Sequence, residues 1–386
     1  MIIGINVESS HQEQRVALVP AVVPALSKIG LQVLVEKNAG QRAGFADAEY
    51  EKQGAQIAAG REELLSRAEI LVRLKGFGAA AVDASKTLHR GQFVIGLLDP
   101  FGSPESIRQI ADTGATAFAL ELLPRISRAQ SMDVLSSMAT IAGYKAVLMA
   151  ADQVKKMFPM MITAAGTITP ARVFIIGAGV AGLQAIATSR RLGAVVKSYD
   201  VRPAVKEQVE SLGAQFVTLD LEAQQAETAG GYAKELSEEF YRKQREKMAE
   251  VLAESDIVIT TAAVQGKKAP ILITKDMVHK MRPGAILVDL AAETGGNCEL
   301  TKPGEKVEVN GVLIEGPVNL AATIPYHASQ MYARNVTAFL QLLIKNGNVD
   351  LNLEDEIVRE TLVSYNNEVY NPRLREILGL ASIQAG

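Results

Sequence analysis

Three glycines, Gly177, Gly179 and Gly182, stand in Gly-x-Gly-x-x-Gly spacing directly after the apolar run Arg172-Val-Phe-Ile-Ile. A helical pattern reaching Leu192 follows without a break. This combination suits a phosphate. Gly177 permits a tight turn, Gly179 lets backbone approach a pyrophosphate, and Gly182 lets the helix pack closely on the strand. The first helical turn offers unpaired N–H groups and the positive end of its dipole to anionic oxygens. A second strand pattern, residues 194–200, ends in Asp200, an acid 18 residues beyond Gly182. Ribose hydroxyls of a dinucleotide lie at that place, and a carboxylate there accepts their hydrogen bonds and repels a 2′-phosphate. The spacing therefore predicts NAD(H) rather than NADP(H). Val180 and Val201, beside Gly179 and Asp200, are counted with the cofactor-binding residues. The bland alternative, a glycine-rich βα turn that binds nothing, does not account for the full strand–turn–helix context.

A second polar concentration lies at Leu123-Pro-Arg125-Ile-Ser-Arg128-Ala-Gln130-Ser-Met-Asp133-Val-Leu-Ser136-Ser137. Two arginines, an amide, a carboxylate and hydroxyls are crowded where one domain hands over to a linking helix. Ligands bind in clefts between domains, and rigid guanidinium donors can hold a carboxamide or a pyrophosphate. The same residues admit a structural account: Asp133 or Ser131 caps the helix while Arg125 and Arg128 sit on a wet surface. Both readings stand on the residues alone.

The elements that must position these groups fall into two βα series. Short apolar runs at 1–7, 31–36, 69–75, 93–98 and 116–122 alternate with helical stretches, the first of them at 20–29. This is the rhythm of a parallel sheet. A second series runs through 172–176, 194–200, 215–219, 256–261, 285–290 and 312–314. Only the second series carries the glycine fingerprint. A helical pattern over 131–157, with Val134, Met138, Ile141 and Leu148 on one stripe, links the two. Another over 329–345 places Tyr332, Val336, Phe339 and Leu343 on one face. The remaining residues are too few for a further domain, so they return to the first, with 353–363 reading as a strand or edge. The predicted architecture is α/β: two Rossmann-like doubly wound parallel-sheet domains joined by long helices, the first discontinuous. Its boundaries are 1–130 with 329–386, and 131–328 for the dinucleotide-binding domain. The charged stretch 234–254 reads as a solvated helix.

Composition bounds the function. The 386 residues exceed a single core, and 48% hydrophobic with 22% charged residues describes a globular protein. A net charge of −3 gives no electrostatic case for nucleic acid. Cys298 is the sole cysteine, which fits a reducing cytoplasmic compartment, and the four histidines (His11, His89, His279, His327) lack metal-ligand spacing. No metal is expected. No apolar run approaches the length of a membrane span and no signal peptide is expected, so membrane association comes through a partner.

The run Pro-Arg-Ile-Ser-Arg-Ala-Gln-Ser-Met-Asp at 124–133 is followed by Ala142-Gly143-Tyr144. Further on come Gly177 to Gly182 with Leu-Gln-Ala-Ile-Ala after it, Lys206-Glu-Gln-Val-Glu-Ser-Leu-Gly213, and Thr228-Ala-Gly-Gly-Tyr232-Ala-Lys. Together these resemble the NAD(H)-binding domain I, the soluble part of the alpha subunit, of proton-translocating NAD(P) transhydrogenase. The likeness extends over nearly the whole chain. It implies that Arg125, Gln130, Asp133 and Ser136 line the nicotinamide end, that Asp200 holds the adenosine ribose, and that Tyr232 lies on a loop closing over nucleotide. Without the resemblance, Tyr232 reads as an ordinary surface turn. It further implies Re/Si-specific hydride exchange between NAD(H) bound here and NADP(H) on a partner component. A transmembrane component would couple that exchange to proton translocation. A homodimer, peripheral to the inner membrane through its partners and catalysing little alone, is expected. Where the family has Leu-Ile-Pro-Gly-x-Pro-Ala-Pro, this chain has Ala263-Val-Gln-Gly-Lys-Lys-Ala-Pro270, losing two prolines and gaining two lysines.

Two other functions are weighed. Alanine dehydrogenase shares the two-domain plan and needs a lysine and a histidine in its first domain. Lys75 could resemble the lysine, but Gly96-Leu-Leu-Asp-Pro-Phe101 holds no histidine, and His89 precedes that strand. The third is a NAD-sensing module without transfer chemistry.

Overall fold

Strands covered on both faces read as unbroken apolar runs, and the first sheet obeys this rule. The computed structural model describes residues 1–10, 12–76, 88–218, 238–263 and 268–381. They form two compact units, Met1–Met138 with Ala322–Gly386, and Ala139–Ala321. The first is thus discontinuous.

Along the chain the first unit contributes β1 (Ile2–Ile5), β2 (Gln32–Glu36), β3 (Gln56–Ala58), β4 (Ile70–Lys75), β5 (Phe93–Leu97) and β6 (Thr116–Ala119). They pair in parallel in the order β3-β2-β1-β4-β5-β6. The second unit opens with a small hairpin, β7 (Met161–Thr163) and β8 (Gly166–Ile168). Its main sheet is built from β9 (Arg172–Ile176), β10 (Val195–Tyr199), β11 (Gln215–Phe216), β12 (Ile257–Thr260), β13 (Ile286–Asp289), β14 (Lys306–Val309) and β15 (Val312–Glu315). The order is β11-β10-β9-β12-β13-β15-β14, with only β14 antiparallel. Back in the first unit, β16 (Ile344–Lys345) and β17 (Asn348–Val349) form a short hairpin. Then β18 (Leu362–Tyr365) and β19 (Glu368–Val369) extend the first sheet antiparallel beside β6. Each sheet reverses its strand order once, between β1 and β4 and between β9 and β12. Doubly wound sheets bind ligands at that reversal.

Packing of the second sheet shows its two faces. Val173 and Ile175 of β9, Ile257 and Ile259 of β12, and Ile286 and Val288 of β13 enter one core with Ala185 and Ile186 of the helix Val180–Arg191. Their neighbours Phe174, Ile176, Val258 and Leu287 point the other way. They meet Met248 and Leu252 of the helix Glu238–Glu254 and Met277 and Val278 of the helix Lys275–His279.

Several sequence expectations change in detail. The linking helix runs Val134–Gln153 and is preceded by a 3-10 turn, Ser127–Met132. Its burial does not follow one stripe: Val134, Met138 and Ile141 are buried early, Ala146, Val147 and Ala150 later, and Leu148 is half-buried. This helix also reaches 20 residues with a mean hydropathy of 1.4, the length and composition of a membrane span. Its apolar side chains are instead spent on protein cores. The stretch 353–363 forms a short helix, Glu356–Thr361, before β18. Asp355 caps that helix by accepting the Ile357 N–H at 2.9 Å, which the alternating acidic pattern conceals. The edge strands β3 and β14 carry too few apolar residues to stand out. In the helix Pro325–Leu343, Tyr332, Val336, Phe339 and Leu343 are all fully buried. Each stabilises by about 1.5–3 kcal/mol.

Candidate functional site

β9 ends at Ile176 in the middle of its sheet, and the chain turns at Gly177 with φ +96°, a backbone state that glycine reaches without strain. A Cβ on Gly177 would stand 2.6 Å from Thr261 Oγ1. Thr261, just past β12, donates that hydroxyl to the Gly177 carbonyl at 3.0 Å, tying the two strand ends that flank the reversal. A Cβ on Gly182 would stand 1.8 Å from the Gly177 oxygen, closer than any side chain can come. At Gly179 the same construction meets nothing within 4 Å. That residue is the N-cap of the helix Val180–Arg191, and no side chain caps it. The helix therefore opens on space at a point where its first N–H groups lack intrahelical partners. Val180 is 39% exposed there. An anion of pyrophosphate shape fits this cradle, because backbone donors and room coincide.

Asp200 follows β10 and is nearly buried, at 9% exposure. Its Oδ2 accepts the Ala178 N–H at 2.7 Å, inside the glycine turn. Oδ1 accepts Arg202 N and Nε, both at 2.9 Å, and Oδ2 also accepts Arg202 Nη2 at 2.9 Å. A carboxylate offers about four acceptor positions, so Arg202 occupies most of them. A ribose reaching Asp200 exchanges with this guanidinium. Sequence reasoning does not single out Arg202, though its place two residues beyond the acid is a usable signal. Val201 lies between them, half-buried against the core that holds Phe174 and Ile176.

Beyond β12 a buried carboxylate organises the neighbouring wall. Asp289 is fully buried at the end of β13 and accepts five hydrogen bonds. They come from Thr260 Oγ1, Ala291 N, Asn297 N, Cys298 N and Thr301 Oγ1, at 2.6–3.0 Å. Asn297, also fully buried, accepts the Ala262 N–H at 3.0 Å and donates to the carbonyls of Ala262 and Pro270 at 2.8 and 2.9 Å. It thereby holds both ends of the atypical 263–270 segment. Residues 264–267 of that segment, His11, and Tyr232 with the rest of 219–237 lie outside the described residues.

In the first unit the 3-10 turn Ser127–Met132 delivers Asp133 to the start of the linking helix. Asp133 Oδ1 accepts the Ser136 N–H at 2.9 Å, and Oδ2 accepts the Ser136 hydroxyl at 2.6 Å. The capping role is therefore real, and such a cap contributes about 1 kcal/mol. Asp133 and Ser136 are brought together, while Arg125 and Gln130 are exposed on the same short segment. Arg128, left between surface and site by the sequence, forms a two-point ion pair with Asp355, at 2.6 and 2.9 Å.

Other charged groups gather past the C-terminal ends of the first sheet. Arg73 is buried 4.0 Å from Glu8, and Lys75 is exposed at the end of β4. Just after β6, burial raises the Glu121 carboxyl from 4.5 to about 7. Its Oε1 accepts the Asp99 N–H at 2.5 Å, but Oε2 has no partner among the described residues. A carboxyl with a raised folded-state pKa contributes stability that is complete below 4.5 and is lost as pH rises through about 7. Glu121→Gln is expected to stabilise the protein at pH 8 and to flatten stability across that window. Urea titrations at pH 5 and pH 8 read the difference, and parallel shifts at both would refute the assignment.

Two successive Rossmann-like units, one bearing a dinucleotide fingerprint at its strand-order reversal, define a two-domain dinucleotide-binding protein. Residues 4–142 match the family model "Alanine dehydrogenase/PNT, N-terminal domain" and residues 146–372 match "Alanine dehydrogenase/PNT, C-terminal domain". The first of the separate chains that make up the NAD(P) transhydrogenase alpha subunit of Rhodospirillum rubrum is 45% identical over 379 residues, 97% of this chain and 99% of that protein. A solved transhydrogenase from Sinorhizobium meliloti superposes with a TM-score of 0.86 at 44% identity, covering 96% of this chain and all of that one. A solved L-alanine dehydrogenase gives 0.82 at 26% identity, covering 98% and 99%. The chain belongs to the alanine dehydrogenase/PNT family, among the NAD(P) transhydrogenase alpha subunits.

Proposed function

We propose that this chain is the NAD(H)-binding component of a proton-translocating transhydrogenase. It exchanges hydride between NAD(H) held here and NADP(H) held by a partner component. A transmembrane component couples that exchange to proton movement, and the chain works as a homodimer held at the inner membrane through these partners. The observation that carries the reading is the Gly177–Gly182 cradle joined to Asp200 at the strand reversal, in a chain 45% identical to a transhydrogenase alpha subunit over almost its whole length.

NAD(H), when bound, supplies the ring carbon that gives or takes the hydride. The opening turn of the helix Val180–Arg191 holds the pyrophosphate through backbone donors, with Val180 against it. Asp200 and Val201 hold the adenosine ribose, and the carboxylate disfavours a 2′-phosphate. Arg125, Gln130, Asp133 and Ser136 orient the nicotinamide end. Transfer between two pyridine rings moves no proton at an alcohol or amine, so these groups align the ring and exclude water instead of acting as acid and base.

Asp200→Ala is expected to weaken NADH binding about tenfold, roughly 1.4 kcal/mol. An NADH fluorescence titration yielding the wild-type dissociation constant would remove Asp200 from the ribose. The function itself is tested by mixing the chain with the NADP-binding and membrane components of a transhydrogenase. Reduction by NADPH of an acetylpyridine analogue of NAD supports the reading. Oxidation of NADH by the chain alone with pyruvate and ammonia supports the alanine dehydrogenase alternative, and the absence of any histidine in 96–101 speaks against it.

A further inference from the structure

Asn335 lies on the inward face of the helix Pro325–Leu343, between Tyr332, Val336 and Phe339, and is only 8% exposed. An apolar side chain would fill that place without the penalty of burying an amide. The amide is spent on one neighbour, the turn that carries Asp133. Its Nδ2 donates to the Ser131 carbonyl at 2.8 Å, and its Oδ1 accepts the Ser137 hydroxyl at 2.6 Å. A carbonyl only accepts, so the direction of the amide is fixed by its partner. The two bonds land on either side of Asp133, two residues before it and four after it. Between them sits the Asp133–Ser136 pair, with its hydroxyl bond of 2.6 Å. The Arg128–Asp355 ion pair holds the preceding turn from a different element.

We infer that Asn335 is a positioning residue for hydride transfer: by bridging Ser131 and Ser137 it fixes where the Asp133 carboxylate and Ser136 hydroxyl point. This rests on the nicotinamide role proposed for those two residues. The positioning acts on ring alignment and not on the pyrophosphate or ribose contacts, which belong to residues 177–201. Loss of Asn335 should therefore lower turnover and leave NADH affinity alone.

The near-isosteric Asn335→Asp keeps the acceptor for Ser137 and sets an oxygen against the Ser131 carbonyl. Asn335→Ala removes both bonds. Thr337→Ala, which deletes a buried hydroxyl bonded only within the same helix to Ala333, reports what a purely structural loss does. In the reconstituted complex, Asn335→Asp is expected to lower the rate at saturating NADH about tenfold. The NADH dissociation constant of the chain should change less than about twofold, and Thr337→Ala should keep the wild-type rate. Combined with Asp133→Asn, Asn335→Asp should add little further loss, since both act through one carboxylate. A wild-type rate for Asn335→Asp, an equal loss in Thr337→Ala, or full additivity with Asp133→Asn overturns the inference while leaving the nicotinamide role intact. A wild-type rate for Asp133→Asn alone overturns both.

Discussion

Gly182→Ala is expected to weaken NADH binding about a hundredfold, close to 3 kcal/mol, and to destabilise the second unit. The added methyl would lie 1.8 Å from the Gly177 carbonyl oxygen, which is backbone and cannot swing aside. The helix Val180–Arg191 must then withdraw from β9, taking its opening N–H groups out of register with the turn. Overpacking of this kind costs about 1–3 kcal/mol. Gly179→Ala provides the contrast, since its methyl meets nothing within 4 Å. That variant should melt like the wild type and still bind NADH poorly, because the methyl occupies the space left for pyrophosphate. Titration of NADH fluorescence and a thermal melt on both proteins separate the two effects. Wild-type affinity in Gly182→Ala would show that the cradle is not the binding site.

Asp133→Asn and Arg125→Ala are expected to lower hydride transfer in the reconstituted complex by about 10- to 100-fold, the scale of a lost alignment. Asparagine caps a helix as well as aspartate does. The Asp133→Asn chain should therefore keep its Tm while losing rate, and that difference separates the two roles left open by the residues alone. Wild-type turnover in both variants would leave Asp133 as a cap and Arg125 as a surface residue.

Much of the frame can be read from residue order. β9, the glycine turn and the helix after it are visible because each obeys a different local rule: a buried apolar run, positive φ, and helical spacing. The helix Pro325–Leu343 is equally plain, since Tyr332, Val336, Phe339 and Leu343 repeat at helical intervals and all four are fully buried. What escapes notice depends on pairings between distant positions. Asn335 meets Ser131 and Ser137 across about 200 residues, Arg128 meets Asp355 across 227, and no local pattern marks either. The linking helix misleads for another reason. Its alanines and serines are small enough to be buried on any side, so no single stripe describes it. Arg202 is easily overlooked because an arginine beside an acid looks like ordinary surface chemistry. Only the near burial of both side chains, 13% and 6% exposed, reveals a partner that nucleotide must displace.

Asn297 clasps Ala262 and Pro270 together from below, and Asp289 keeps Asn297 in place. The clasp takes nothing from the side chains strung between those two points. Take-off and landing are thus independent of what the stretch spells, which is how two lysines can stand where relatives keep prolines. Natural variation is free to retune that rim, one substitution at a time, with the sheet underneath undisturbed.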